Sequence, residues 1–158
     1  MTRPFIRYRK VLPAEPEMPV WPHGVGPLLF DPALHAQPVH RLLETAYAHG
    51  GGAVLPFNAW WEQLIGDDEY EPALVFLAAG PTGGIVGVGQ CWTSAFVKDL
   101  AVAQDWRRLG IGGALLRHSF NAFRARGAAC VDLKVEQGNP SYAERLYCRL
   151  GMVPIDVG

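Results

Sequence analysis

Arg107-Arg108-Leu109-Gly110-Ile111-Gly112-Gly113 is the stretch whose residue types point most directly to chemistry. It joins an extended run, Leu100-Ala101-Val102-Ala103-Gln104-Asp105-Trp106, to a helical one through a turn rich in glycine. At such a junction the first helical N–H groups have no internal partners and point outward. Glycines let backbone approach an anion closely, the helix dipole adds partial positive charge, and Arg107 and Arg108 add charged donors. The physical reading is a cradle for a phosphate or pyrophosphate, although glycines before a helix also serve simply to permit tight packing. A dinucleotide fold is disfavoured, because Leu115 stands where its third glycine belongs and the strand-to-turn spacing is too long. A Walker loop is excluded, since no Gly-Lys-Ser/Thr follows.

The elements that would carry this turn can be read from the pattern. Residues 4–12 alternate partially and predict a strand, and prolines at 13, 16, 19, 22 and 27 make 13–23 an extended arm. A strand over Val25–Phe30 is followed by a helix over 33–48, started at Asp31-Pro32 and ended by Gly50-Gly51-Gly52. A shorter helix over Asn58–Ile65 carries Trp60 and Trp61. Ala73–Ala79, Ile85–Trp92 and Ala95–Val102 form a three-strand meander. Ile111–Arg126 is an amphipathic helix, with Ile111, Leu115, Leu116, Phe120 and Phe123 on one side and Arg117, His118, Asn121 and Arg124 on the other. Cys130–Val135 is a strand, Asn139-Pro140 opens a last helix that Gly151 ends, and Met152–Val157 is a final strand. The order gives an α/β sandwich around a mixed sheet.

The 158 residues suit one main core, with 49% hydrophobic and 18% charged residues. A net charge of -1 offers no basic excess for nucleic acid. Arg124 and Arg126 read as a solvated helix face. Cys91, Cys130 and Cys148 are scattered, as are the five histidines, so neither a disulfide framework nor a metal site is expected. No apolar run approaches the ~20 residues that span a bilayer. With no signal peptide, the expected location is cytoplasmic.

Val102 followed by Arg107-x-x-Gly110-x-Gly112 resembles the acetyl-CoA signature of the GNAT superfamily of N-acyltransferases. Asn139-Pro140-Ser141-Tyr142-Ala143-Glu144-Arg145-Leu146-Tyr147-Cys148-Arg149-Leu150-Gly151-Met152 resembles the same family's Asn-x-x-Ala-x-x-Leu-Tyr-x-x-x-Gly-Phe run. The likeness covers residues 74–154, with the first 70 matching only in element order. It departs in Gln104 and Trp106, where proline and tyrosine are common, and in Arg108, where the family has glycine. It implies an α+β sandwich with a mostly antiparallel sheet, splayed at the acyl-CoA site and flanked by helices. Residues 24–158 would be the acetyltransferase domain and 1–23 a strand and proline-rich arm.

The resemblance implies acetyl transfer from acetyl-CoA to an amine of a small molecule or peptide, without a metal. Amides from Leu109 through Gly110, Ile111, Gly112 and Gly113 would hold the pyrophosphate, and Leu100, Ala101 and Val102 would offer a strand edge to the pantetheine arm. Tyr147 would be the general acid at the thiolate, Asn139 a polar contact, and the Val102 N–H an oxyanion donor. On the residues alone, Tyr147 is a core aromatic. Some polyamine-type members carry Glu-Asp where this chain has Lys98-Asp99. Base candidates are therefore Asp99 and Glu136, with Glu62, Asp67, Asp68 and Glu69 or a relayed water as alternatives. Trp60, Trp61 and Trp92 would wall an acceptor pocket, with the acidic stretch drawing in a cationic amine, or else be half-buried core. Cys91 and Cys148 read as small buried fillers.

Family members often end on two strands after the last helix, and one is missing here. Residues 4–12, of this chain or of a second subunit in a homodimer, are expected to fill the place. Rival functions are a catalytically silent acyl-CoA-binding or regulatory module and a nucleotide-binding domain.

Overall fold

The computed structural model describes residues 5–48, 53–136 and 142–155. Its elements run β1 (Phe5–Val11), β2 (Gly26–Leu29), α1 (Pro32–Tyr47), α2 (Phe57–Ile65), β3 (Val75–Ala79), β4 (Ile85–Trp92), β5 (Phe96–Val102), α3 (Ile111–Ala125), β6 (Cys130–Glu136), α4 (Tyr142–Arg149) and β7 (Val153–Ile155). Short 3-10 turns at Pro72–Leu74 and Gln104–Trp106 were not expected. Asp31 caps α1 through its carboxylate, which accepts the Ala33 N–H at 3.0 Å. The predicted glycine stop at 50–52 and the Asn139-Pro140 start of α4 lie outside the described residues.

The seven strands form one sheet in the order β2-β3-β4-β5-β6-β1-β7. All neighbours are antiparallel except β5 and β6, which are parallel and pair only at Phe96↔Asp132 and Val97↔Leu133. Beyond Val97 the two strands part, and the sheet opens toward the C-terminal end of β5. Helix α1 covers one face, packing Val39, Leu42 and Leu43 on Val75, Leu77, Val88 and Ala101. Helix α3 covers the other, packing Ile111, Leu115, Leu116, Phe120 and Phe123, and α4 adds Tyr147 and Leu150 beside it. Burial of such side chains stabilises by about 1.5–3 kcal/mol each.

The place expected for a further strand is taken by residues of this same chain. β1 lies between β6 and β7 and pairs antiparallel with both, from Phe5↔Glu136 to Val11↔Cys130 on one side and Arg7↔Ile155 to Arg9↔Val153 on the other. A buried carboxylate fixes that insertion. Asp132 accepts from Arg7 Nε at 2.7 Å and from Arg9 Nε and a terminal Arg9 nitrogen at 2.8 and 2.9 Å. Burial alone would raise its pKa, but the bonds from Arg9 and Arg7 outweigh that and hold it below the usual carboxylate range.

From β1 the arm crosses the outer surface of α3. The Asn121 carboxamide accepts the Glu17 N–H at 3.0 Å and donates to the Glu17 carbonyl at 2.6 Å, much as a strand neighbour would. Arg124 donates to the Ala14 carbonyl at 2.9 Å, so that arginine, read from sequence as solvated, instead ties down the arm.

Candidate acyl-transfer site

Three features place the glycine turn. Gly87 on β4 leaves no room for a side chain: a Cβ there would meet Ile111 Cγ2 and Leu115 Cδ1 at 3.0 Å, so glycine lets the first turns of α3 rest on the sheet. Gly110 takes φ 92 as the residue before the helix, with no side chain capping it. The Gly110 carbonyl takes the Ala114 N–H at 3.0 Å, which leaves the amides of Ile111, Gly112 and Gly113 without a helical acceptor. Arg108 takes φ 66, a left-handed conformation that a side chain strains and glycine does not. That is the physical content of the glycine common at this place in the family.

These amides face a cleft of about 170 Å³ lined by Leu100, Val102, Trp106, Arg107, Arg108, Gly110–Gly113, Ala143, Leu146, Tyr147 and Arg149. All the expected cradle residues line it except Ala101 and Leu109. Arg149 was missed by sequence reasoning; its place in the last turn of α4 carries no spacing signal that would bring it beside Arg107 and Arg108. Arg107 has a positioning task, since its Nε donates to the Val102 carbonyl at 3.1 Å and ties the turn to the end of β5.

The backbone of β5 shows which groups are available to a ligand. Its register against β4 slips between Gln90 and Cys91, making Lys98 an extra residue, a β-bulge. As a result Val97 and Leu100 both reach the core on the α3 side, while Ala101 packs beneath α1. Ala103 N–H bonds the Val86 carbonyl at 2.8 Å, which sets the phase of the ladder with Gly87↔Val102 and Gly89↔Leu100 as non-bonded pairs. Leu100 and Val102 therefore turn their amides toward the open side, and Ala101 turns its own toward β4. Of the three residues expected to offer an edge, two do.

A second cleft, of about 390 Å³, fills the gap between β5 and β6. Tyr47, Val97, Lys98, Asp99, Leu100, Leu133, Lys134, Val135, Ala143 and Tyr147 line it, with Phe5 and Ala53 at its rim. Leu100, Ala143 and Tyr147 belong to both clefts. The Tyr147 hydroxyl has no hydrogen-bond partner among the described residues, and burial pushes its pKa up to about 12. Asp99 Oδ1 accepts from the Tyr47 hydroxyl at 2.7 Å, and its Oδ2 lies 3.6 Å from Lys98 Nζ. Burial first, then Asp99, raises the Tyr47 pKa far above its ordinary value, so that hydroxyl stays a donor. Sequence reasoning passed over Tyr47, which sits at the end of a helix in the poorly matching region and meets Asp99 only through the fold.

The other candidates lie elsewhere. Asn139 is outside the described residues, as is the side chain of Glu136. Asp67 accepts the Glu69 N–H at 2.8 Å within its own loop, and Glu69 accepts the Ser94 N–H at 2.9 Å and so holds the β4–β5 turn. Neither Glu62 nor Asp68 lines the gap. Trp60 packs with His40 and Phe57 against the α1-side core, and Trp61 meets Tyr70 edge-on. These two tryptophans are half-buried core, and Trp92 likewise does not line the gap. Cys91 is fully buried, as expected of a filler, and its thiol pKa is pushed up by that burial; Cys148, expected to be buried as well, is exposed on α4.

Comparison with known proteins identifies the family. Among solved structures, the GCN5-related N-acetyltransferase from Sphaerobacter thermophilus superposes with a TM-score of 0.81 at 28% identity, over 98% of this chain and 49% of that one. The chain thus spans about half the length of that relative. The ribosomal-protein-S18-alanine N-acetyltransferase from Escherichia coli shares the fold at TM-score 0.64 and 18% identity, over 85% of this chain and 96% of that one. A NatC complex bound to Gag peptide and CoA does so at 0.62 and 16%, over 84% and 86%. No match to curated proteins is found. The Acetyltransferase (GNAT) domain family matches residues 71–153, from before β3 to the start of β7, which takes in the bulged strand, the glycine turn and the Tyr147 helix. With that match over more than half its length, the chain belongs to the GNAT acetyltransferase family.

Proposed function

We propose that this chain is an N-acetyltransferase carrying an acetyl group from acetyl-CoA to a primary amine of a small molecule or peptide. The carrying observation is the meeting of two clefts at Leu100, Ala143 and Tyr147, one lined by helix-terminal amides and arginines and the other by Asp99 and Tyr47. In this reading the amides of Ile111, Gly112 and Gly113 bind the pyrophosphate, with Arg107, Arg108 and Arg149 supplying positive charge. The pantetheine arm lies along the Leu100 and Val102 edge, and the amine enters between β5 and β6.

The amine nitrogen attacks the thioester carbonyl, the C–N bond forms, the C–S bond breaks, and the nitrogen gives up one proton as the sulfur gains one. The Val102 N–H donates to the oxyanion. Tyr147 donates a hydrogen bond to the departing sulfur. An ordinary thiol ionises near ~8.5, so giving the proton outright from a hydroxyl at about 12 is uphill by roughly 5 kcal/mol. Tyr147 therefore stabilises the developing charge by that hydrogen bond and keeps its own proton. Asp99, held by Tyr47, takes the proton that the amine gives up, directly or through water, and the departing thiolate is protonated from solvent. The reaction needs no metal. Three unpaired cysteines fit a reducing cytoplasm.

Acetyl-CoA incubated with the chain and a panel of primary amines tests the reading through free-thiol release. Release that depends on an amine supports it. Binding of acetyl-CoA with no such release for any amine assigns the chain to the silent acyl-CoA-binding modules instead.

A further inference from the structure

The gap between β5 and β6 has a charge pattern of its own. Among the described residues its lining carries one carboxylate, Asp99, and two ammonium groups, Lys98 and Lys134. The acidic stretch at 67–71 does not line the gap; Asp67 bonds the Glu69 N–H and Glu69 bonds the β4–β5 turn. Asp99 has one oxygen bonded to the Tyr47 hydroxyl and the other 3.6 Å from Lys98 Nζ, a loose contact that an incoming ammonium can displace. Lys134 is exposed on β6 and forms no ion pair among the described residues. Lys98 is half exposed and only loosely paired, at 3.6 Å from Asp99. A dication entering here meets a lysine at its second charge, and a neutral tail leaves both lysines without an anion. A tail bearing a carboxylate satisfies them.

We infer that the acceptor is a primary amine that also carries a carboxylate, with Asp99 receiving the ammonium end and Lys134 and Lys98 the anionic end. This assignment rests on the acetyl-transfer reading and names its substrate class. Lys134 comes from β6, the parallel strand that parts from β5, so the two ends of the acceptor would be met from opposite sides of the gap.

The test compares kcat/KM, at saturating acetyl-CoA, for amino acids against their carboxamides, and for an ω-amino acid against the alkylamine and diamine of equal chain length. The carboxamide's amine is less basic and more available as a neutral nucleophile, so chemistry alone favours it. The expected result is a preference of about tenfold for the carboxylate-bearing member of each pair, the scale of two charge-assisted contacts in a half-open cleft. Lys134→Gln and Lys98→Gln should each shrink that ratio toward parity, with melting temperature preserved because both side chains are exposed. Acetylation of all amines without preference for the carboxylate, or a preference for the diamine, overturns the substrate class and leaves acetyl transfer standing. A ratio unmoved in both variants overturns the role of the lysines. Absence of acetylation for every amine, with acetyl-CoA still bound, removes the underlying reading as well.

Discussion

Arg108 and Tyr147 show how much a single position can be made to answer for. Arg108 holds φ 66 where glycine would be relaxed, a cost of about 1 kcal/mol. Arg108→Gly should raise the melting temperature by about 2–4 °C, measured by calorimetric scan, while weakening acetyl-CoA binding through the lost guanidinium. A lower melting temperature would mean the turn is not strained there. Tyr147→Phe should cut kcat by about 10²-fold and change the acetyl-CoA dissociation constant less than twofold, if the hydroxyl acts on charge that develops only during transfer. Turnover like the wild type would take Tyr147 out of the mechanism. Burial keeps Tyr147 protonated to about pH 12, so its native form holds a proton that the unfolded chain loses near ~10. Its contribution to stability is whole below the lower value and lost as pH rises through the upper one. Tyr147 was singled out because the run from Asn139 to Met152 resembles the family's, while helical spacing alone makes it a core aromatic. Tyr47 was not: its significance is a 2.7 Å bond across 52 residues, and no local pattern encodes such a contact.

Elements were read more reliably than their neighbours. Strands β1, β2, β4 and β5 and helices α1, α2 and α3 fall within two residues of their expected bounds, because periodicity, prolines and glycines act locally. The bulge at Lys98 depends on how β5 meets β4 and is invisible in β5 alone. The family resemblance led to residues 4–12 as an added strand, and they form one between β6 and β7, yet the Asp132 clamp that secures β1 went unseen because its arginines lie 123 and 125 positions away. Asp132→Asn should cost about 2–4 kcal/mol in urea unfolding, since two guanidinium groups lose their anion. The pKa of Asp132 is lowered on folding, so its stabilisation is present above the ordinary carboxylate value and lost as pH falls through the native one. The variant's stability should accordingly fall less steeply in acid than the wild type's. Equal acid slopes would show that the clamp carries no such linkage.

At the scale of the whole molecule, β1 secures one side of the sheet, the arm straps α3 from outside, and Gly87 lets that helix settle against β4. Their joint product is a fixed helix terminus beside a strand that has parted from its neighbour. Ligand binding to so preformed a site should stabilise the fold by mass action, about 2.7 kcal/mol at a hundredfold excess over the dissociation constant. The most direct measurement is a calorimetric titration of CoA into the full chain and into Gly112→Glu. That substitution suits a helix's first turn but sends a carboxylate into the cleft, where even a Cβ stands 3.4 Å from Leu146. Saturable binding at a dissociation constant of roughly 1–100 μM, weakened about a hundredfold in the variant, is the predicted result. No heat with the wild type, or equal affinity in the two proteins, would contradict the claim that helix-terminal amides hold the diphosphate.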